Sequence, residues 1–85
     1  IENGYIDGMD FYVFMADAQK KEHVHRELEI LYSVEGQIVV TVDEARYTLK
    51  QDDILLINGG KRHSVYRPVG TDKNVSAAFI FQNGC

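Results

Sequence analysis

Seven short apolar runs separated by turn-forming residues restrict this chain to a small all-β architecture. They cover Met9 to Ala16, Glu27 to Glu35, Gln37 to Val42, Arg46 to Leu49, Asp53 to Ile57, Ser64 to Arg67 and Val75 to Phe81. Met9, Phe11, Val13 and Met15 share one parity, as do Ile38, Val40 and Val42, and again Val75, Ala77, Phe79 and Phe81; each set reads as a strand face turned to a core. "DILLIN" is apolar without alternation, the pattern of a strand covered on both faces. Only "RELEILYSVEG" has helical spacing, and the β-branched "QIVVTV" after it favours a hairpin instead. Turns are expected at Glu35-Gly36, Asp43-Glu44 and Gln51-Asp52, with loops at "NGGKR" and "PVGTDKN".

One run carries an unusual polar face. In an extended chain side chains alternate, so His23, His25, Glu27, Glu29 and Leu31 project one way and Val24, Leu28, Ile30, Tyr32 and Val34 the other. The even set is expected to be the core face. A solvent-facing charged face is the plain alternative for the odd set. If a barrel returns His63 beside His23, His25 and Glu29, three imidazoles and a carboxylate converge on one point. That donor set suits a divalent transition metal such as zinc, manganese, iron or nickel.

Charge and cysteine content narrow the functions. A formal net charge of −4 over 85 residues argues against this segment gripping a phosphate backbone. The single cysteine, Cys85, excludes an internal disulfide framework. No apolar run is long enough to span a bilayer and no signal-peptide pattern opens the chain, so a soluble cytoplasmic protein is expected.

The motifs carry a family resemblance. "HVHRELE" and Gly36 reproduce H-x-H-x-x-x-E-x-x-x-x-x-x-G, the first cupin motif, and "DDILLINGGKRH" resembles the second, G-D-x-x-x-x-P-x-G-x-x-H. The departures are Asp52 for glycine, Asn58 for proline, and Arg67 for a closing asparagine. The likeness implies a small cupin, a double-stranded β-helix or jelly-roll barrel. The wording "EILY" and "YTLKQDDILLIN" resembles the amino-terminal sensing domain of AraC-type bacterial transcription regulators. That resemblance implies a sugar-like or other polar metabolite as effector, and DNA contact only through a helix-turn-helix domain absent from these residues. It also implies a homodimer, with any self-association of these residues alone weak or along a strand edge.

On this reading residues 1–8 form a mobile arm, with Tyr5 its contact to effector, and residues 9–85 a single barrel. His23, His25, Glu29, Tyr32, His63, Arg67 and Phe79 are expected to line the pocket, with His23, His25, Glu29 and His63 as ligands if a metal is held. Arg67 is expected there because it shares parity with His63, and Tyr32 and Phe79 as aromatic faces for a sugar ring. The competing reading is a small metal-dependent cupin enzyme using the same four residues.

Overall fold

The computed structural model describes residues 2–6 and 8–82, with side chains from Gly8 onward. Nine strands follow in order: β1 (Glu2–Ile6), β2 (Met9–Phe14), β3 (Glu22–His23), β4 (Leu28–Glu35), β5 (Ile38–Val42), β6 (Ala45–Leu49), β7 (Ile54–Ile57), β8 (His63–Tyr66) and β9 (Val75–Phe81). They form a five-stranded sheet, β1-β2-β9-β4-β7, and a four-stranded sheet, β3-β8-β5-β6. Every pairing is antiparallel, and among the described residues there is no helix. The runs lead to an all-β barrel or sandwich, and the two antiparallel sheets have the jelly-roll form that the resemblance implies.

The turns fall where the sequence places them. Gly36, Asp43 and Asp52 all adopt positive φ, at 79°, 52° and 73°. A Cβ on Gly36 would stand 2.8 Å from the Lys73 carbonyl oxygen, so backbone conformation and close approach both demand glycine there. Asp52 occupies a left-handed position that glycine would fill without strain, which accounts physically for glycine in the motif it departs from.

The interior is built from both sheets. Leu31, Ile38, Val40, Leu49, Ile57 and Ala78 form the fully buried cluster. Tyr12, Phe14, Val42, Leu55 and Val65 pack against it. Burying a Leu, Ile or Val side chain contributes roughly 1.5–3 kcal/mol, so this small cluster is a large part of what holds so short a chain together.

Three expectations about faces are corrected. Directly opposed residues of antiparallel strands share a face. Glu29 and Leu31 are buried and pair with Ile80 and Ala78, so the odd face of β4 is the interior and the even face, with Ile30 and Tyr32, lies outside. The same logic turns Met9, Phe11 and Val13 of β2 and Ala77, Phe79 and Phe81 of β9 outward, although the sequence presents them as core. β7 is an edge strand covered on one face only, with Ile54 65% and Leu56 56% exposed. In the segment read as an arm, residues 2–6 form β1, paired along its length with β2; the Tyr5 side chain and Cys85 lie outside the described residues.

Loop anchoring comes from one residue that the pattern did not reveal. Asn74 is buried, accepts from the Ala16 N–H at 2.9 Å and donates from Nδ2 to the Ala16 carbonyl at 3.2 Å. It thereby fixes the chain leaving β2 to the chain entering β9.

Candidate metal centre

"EHVHRELEI" is not one strand. Glu22 and His23 make β3 and pair with Ser64 and His63 in the four-stranded sheet, whereas Glu29 stands on β4 in the other sheet. His25 lies in the crossing between them. The crossing is held by the "NGG" loop: the Gly60 N–H donates to the His25 carbonyl at 2.7 Å, and a Cβ on Gly59 would fall 2.0 Å from the Arg26 carbonyl oxygen. Only glycine at position 59 lets the loop before β8 lie against the backbone beside His25. One contact therefore sets both histidines.

His25, Glu29 and His63 converge at the floor of a cavity of about 440 Å³. Glu29 Oε1 stands 3.0 Å from His25 Nε2 and 3.3 Å from His63 Nε2, and the three ligand atoms lie within 4.8 Å of one another. Glu29 and His63 are each 4% exposed, while His25 opens partly onto the cavity.

The second ring nitrogens fix the protonation. His25 Nδ1 is 3.1 Å from the Glu27 carbonyl oxygen, and His63 Nδ1 is 3.1 Å from that of Lys61. A carbonyl only accepts, so both Nδ1 atoms carry hydrogen and donate. In a neutral ring each Nε2 then presents a lone pair to the carboxylate. Lone pair against carboxylate is unfavourable unless a cation lies between them, either a shared proton or a metal ion. Backbone carbonyls that hold Nδ1–H and free Nε2 are the outer partners a metal-ligating histidine requires.

The titration behaviour follows from this packing. The hydrogen bond with Glu29 is the largest influence on His63 and, with the Lys61 carbonyl and the Glu29 charge, raises its pKa against the opposing effect of burial. Burial alone would raise the Glu29 carboxyl, but hydrogen bonds and charge from His63 and then His25 outweigh it and hold the pKa below the ordinary value. Tyr12 lines the same cavity, and burial followed by the Glu29 charge pushes its phenol up, so the hydroxyl remains a donor.

The donor set fits a divalent transition metal. The two separations from Glu29 Oε1, 3.0 and 3.3 Å, match the edge of a coordination shell with bonds of about 2.1 Å, and two imidazoles with one carboxylate suit zinc, manganese, iron or nickel. His23 lines the cavity, but its ring centre is 6.1 Å from that of His63, and among the described residues the cluster close enough to share an ion comprises His25, Glu29 and His63.

Three residues expected in the pocket lie elsewhere. Tyr32 faces outward and donates to Asp52 Oδ1 at 2.7 Å. Phe79 faces outward and stacks on Phe11 with ring centres 6.1 Å apart. Arg67 follows β8 and is not among the lining residues, although its backbone N–H donates to the carbonyl of Asp17, which is. The walls are instead Tyr12, Phe14, Val65 and Ile80, with Lys21 also lining the cavity. The parity of Tyr12 and Phe14, opposite to that of Phe11 and Val13, was the available signal.

Fold and site together define a double-sheet β-barrel with a polar, metal-competent floor inside apolar walls. The chain belongs to the cupin family: the family described as Cupin domain matches residues 11–81. No curated protein matches it significantly by sequence. Among solved structures it is similar to protein NMB1881 of Neisseria meningitidis, with TM-score 0.81 and 15% identity over 95% of this chain and 81% of that one. It is similar to the Cnp3 cupin domain of Schizosaccharomyces pombe, with TM-score 0.82 and 15% identity over 96% and 59%. A third is iron(II) HppE in complex with substrate, with TM-score 0.80 and 17% identity over 88% and 47%. At these identities the likeness is one of fold.

Proposed function

We propose that this cupin is a small-molecule-binding module whose pocket is built on one divalent metal ion held by His25, Glu29 and His63, and that it serves as the effector-sensing domain of an AraC-type transcription regulator. The observation that carries the binding reading is the convergence of two Nε2 atoms and a carboxylate at the floor of a cavity with apolar walls. A bound metal supplies a Lewis-acidic anchor for a ligand oxygen. Tyr12 offers a neutral hydroxyl beside that anchor, and Phe14, Val65 and Ile80 cover the carbon skeleton of the ligand. A cavity of about 440 Å³ suits a sugar-like or similar polar metabolite. The regulator reading rests on the wording of the motifs, and DNA contact would belong to a helix-turn-helix domain elsewhere in the polypeptide.

A metal-dependent enzyme is the second reading. Three protein donors, His25, Glu29 and His63, would leave a bound metal with positions for water or substrate, as a catalytic site needs. The test is a thermal-shift screen of metal-loaded protein against sugars, sugar acids and other small polar metabolites, followed by product analysis of each hit. Stabilisation with the metabolite recovered intact supports the sensor. Stabilisation with conversion supports the enzyme, and no stabilisation by any compound contradicts both.

A further inference from the structure

Outside the metal centre, most of the cavity's polar lining comes from the strap between β2 and β3. Met15, Asp17, Gln19, Lys21 and His23 all line it, whereas Lys20 turns to a separate hollow with Thr41, Arg46 and Tyr66. That alternation is what an extended chain gives. The strap is tied at each end: Asn74 holds both polar groups of Ala16, the Arg67 N–H donates to the Asp17 carbonyl at 2.7 Å, and His23 pairs with His63 between β3 and β8. Lys21, next to the start of β3, is therefore carried at a set place on the exposed rim, while Glu29 and His63 lie buried at the floor.

The charges along this lining are unequally matched. Glu29 is met by His25 and His63 at 3.0 and 3.3 Å, and Asp17 accepts from the Gln19 N–H at 2.9 Å within the strap itself. Among the described lining residues Lys21 brings the one ammonium or guanidinium, and no described carboxylate pairs with it; Lys61, by contrast, is paired with Asp43 at 3.4 Å. A lysine left unpaired while the neighbouring acids are engaged offers three donors and a point charge to whatever enters. A neutral sugar gives that charge nothing to neutralise. A carboxylate or phosphate does.

Resting on the metal-anchored binding reading above, we infer that the metabolite is an acid: one oxygen faces the floor formed by His25, Glu29 and His63, and a carboxylate or phosphate at its other end is bound by Lys21. Gln19, which lines the same cavity, adds an amide that can donate to that group. Phe14, Val65 and Ile80 cover the carbon chain between the two ends. Sugar acids and sugar phosphates fit this description, and their neutral parents do not.

Isothermal titration calorimetry on zinc-loaded protein compares matched pairs: glucuronate with glucose, galacturonate with galactose, and ribose phosphate with ribose. Wild type is run beside Lys21→Gln, Lys21→Arg and Lys20→Gln, the last altering the neighbouring lysine that faces the other hollow. The expected result is that at least one acid binds about tenfold or more tighter than its neutral parent, a preference lost in Lys21→Gln and kept within about threefold in Lys21→Arg and Lys20→Gln, with zinc content unchanged throughout. Equal affinity for acids and their parents overturns the inference and leaves the metal-anchored reading standing, as does a preference that survives in Lys21→Gln. Binding of neither member of any pair also overturns the inference, and the binding reading falls with it only when the wider metabolite screen is empty as well. A preference confined to carboxylates or to phosphates supports the inference and identifies the group.

Discussion

Glu29 Oε1 facing two imidazole Nε2 atoms is the centre of this molecule, and its protonation can be read in stability. The raised pKa of His63 means the folded state holds that proton more tightly than the unfolded chain. Its contribution is therefore complete below the ordinary histidine value of 6.5 and is lost as pH rises through the higher folded value. The lowered pKa of Glu29 acts in the other direction. Its contribution is present above the ordinary 4.5 and is lost as pH falls through the lower folded value. Thermal melts of metal-free protein are expected to peak between about pH 4.5 and 6.5, and Glu29→Gln is expected to flatten that peak. Metal competes with the proton for Nε2, so the stabilisation on adding metal is expected to grow as pH rises. A metal-induced shift that shrinks with rising pH would contradict this account of the site.

At the scale of elements, two tethers hold the strands that carry the site. The Gly59 loop lies on the backbone at Arg26, and a methyl group there has only carbonyl atoms to displace. Gly59→Ala is expected to cost about 2 kcal/mol or more in chemical denaturation and to weaken metal affinity along with it, because lifting the loop also breaks the hydrogen bond from Gly60 to His25. Asn74→Ala leaves both polar groups of Ala16 without their partner and is expected to cost about 2–4 kcal/mol by the same measurement. Ser76 is buried with an unpartnered hydroxyl among the described residues, so Ser76→Ala is expected to leave stability unchanged or raise it by up to about 1 kcal/mol.

The strand boundaries were largely legible, because turn residues such as Gly36, Asp43 and Asp52 mark positions where few other residues tolerate positive φ. Which face turned inward was legible in β5, where Ile38, Val40 and Val42 meet the core, but not in β2, β4 or β9. Alternation reports that a strand has two unlike faces, and it assigns the greasier one to the core only when the other meets water. In β2 and β9 the outward face is the greasier one, while the interior buries Ser76 and accepts Tyr12 and Glu29 to build a pocket. Phe79 and Tyr32 were misplaced for that reason. The two-sheet crossing of "HVHRELE" was hidden because spacing alone does not reveal a strand break at His25.

For the whole molecule, 85 residues must supply a core, a cavity and a charged site at once. Small domains have little stability in reserve, so a buried carboxylate between two histidines is retained only if something compensates its burial. A divalent metal is that compensation in this account. The decisive measurement is the transition-metal content of freshly purified, untagged protein by elemental mass spectrometry, repeated after reconstitution with zinc, manganese, iron or nickel. Near one equivalent in the wild type, falling below about a tenth in both Glu29→Gln and His63→Ala, is the predicted result, since each removes one of the three donors found among the described residues. Less than a tenth of an equivalent in the reconstituted wild type, or an equivalent retained in both variants, would contradict it.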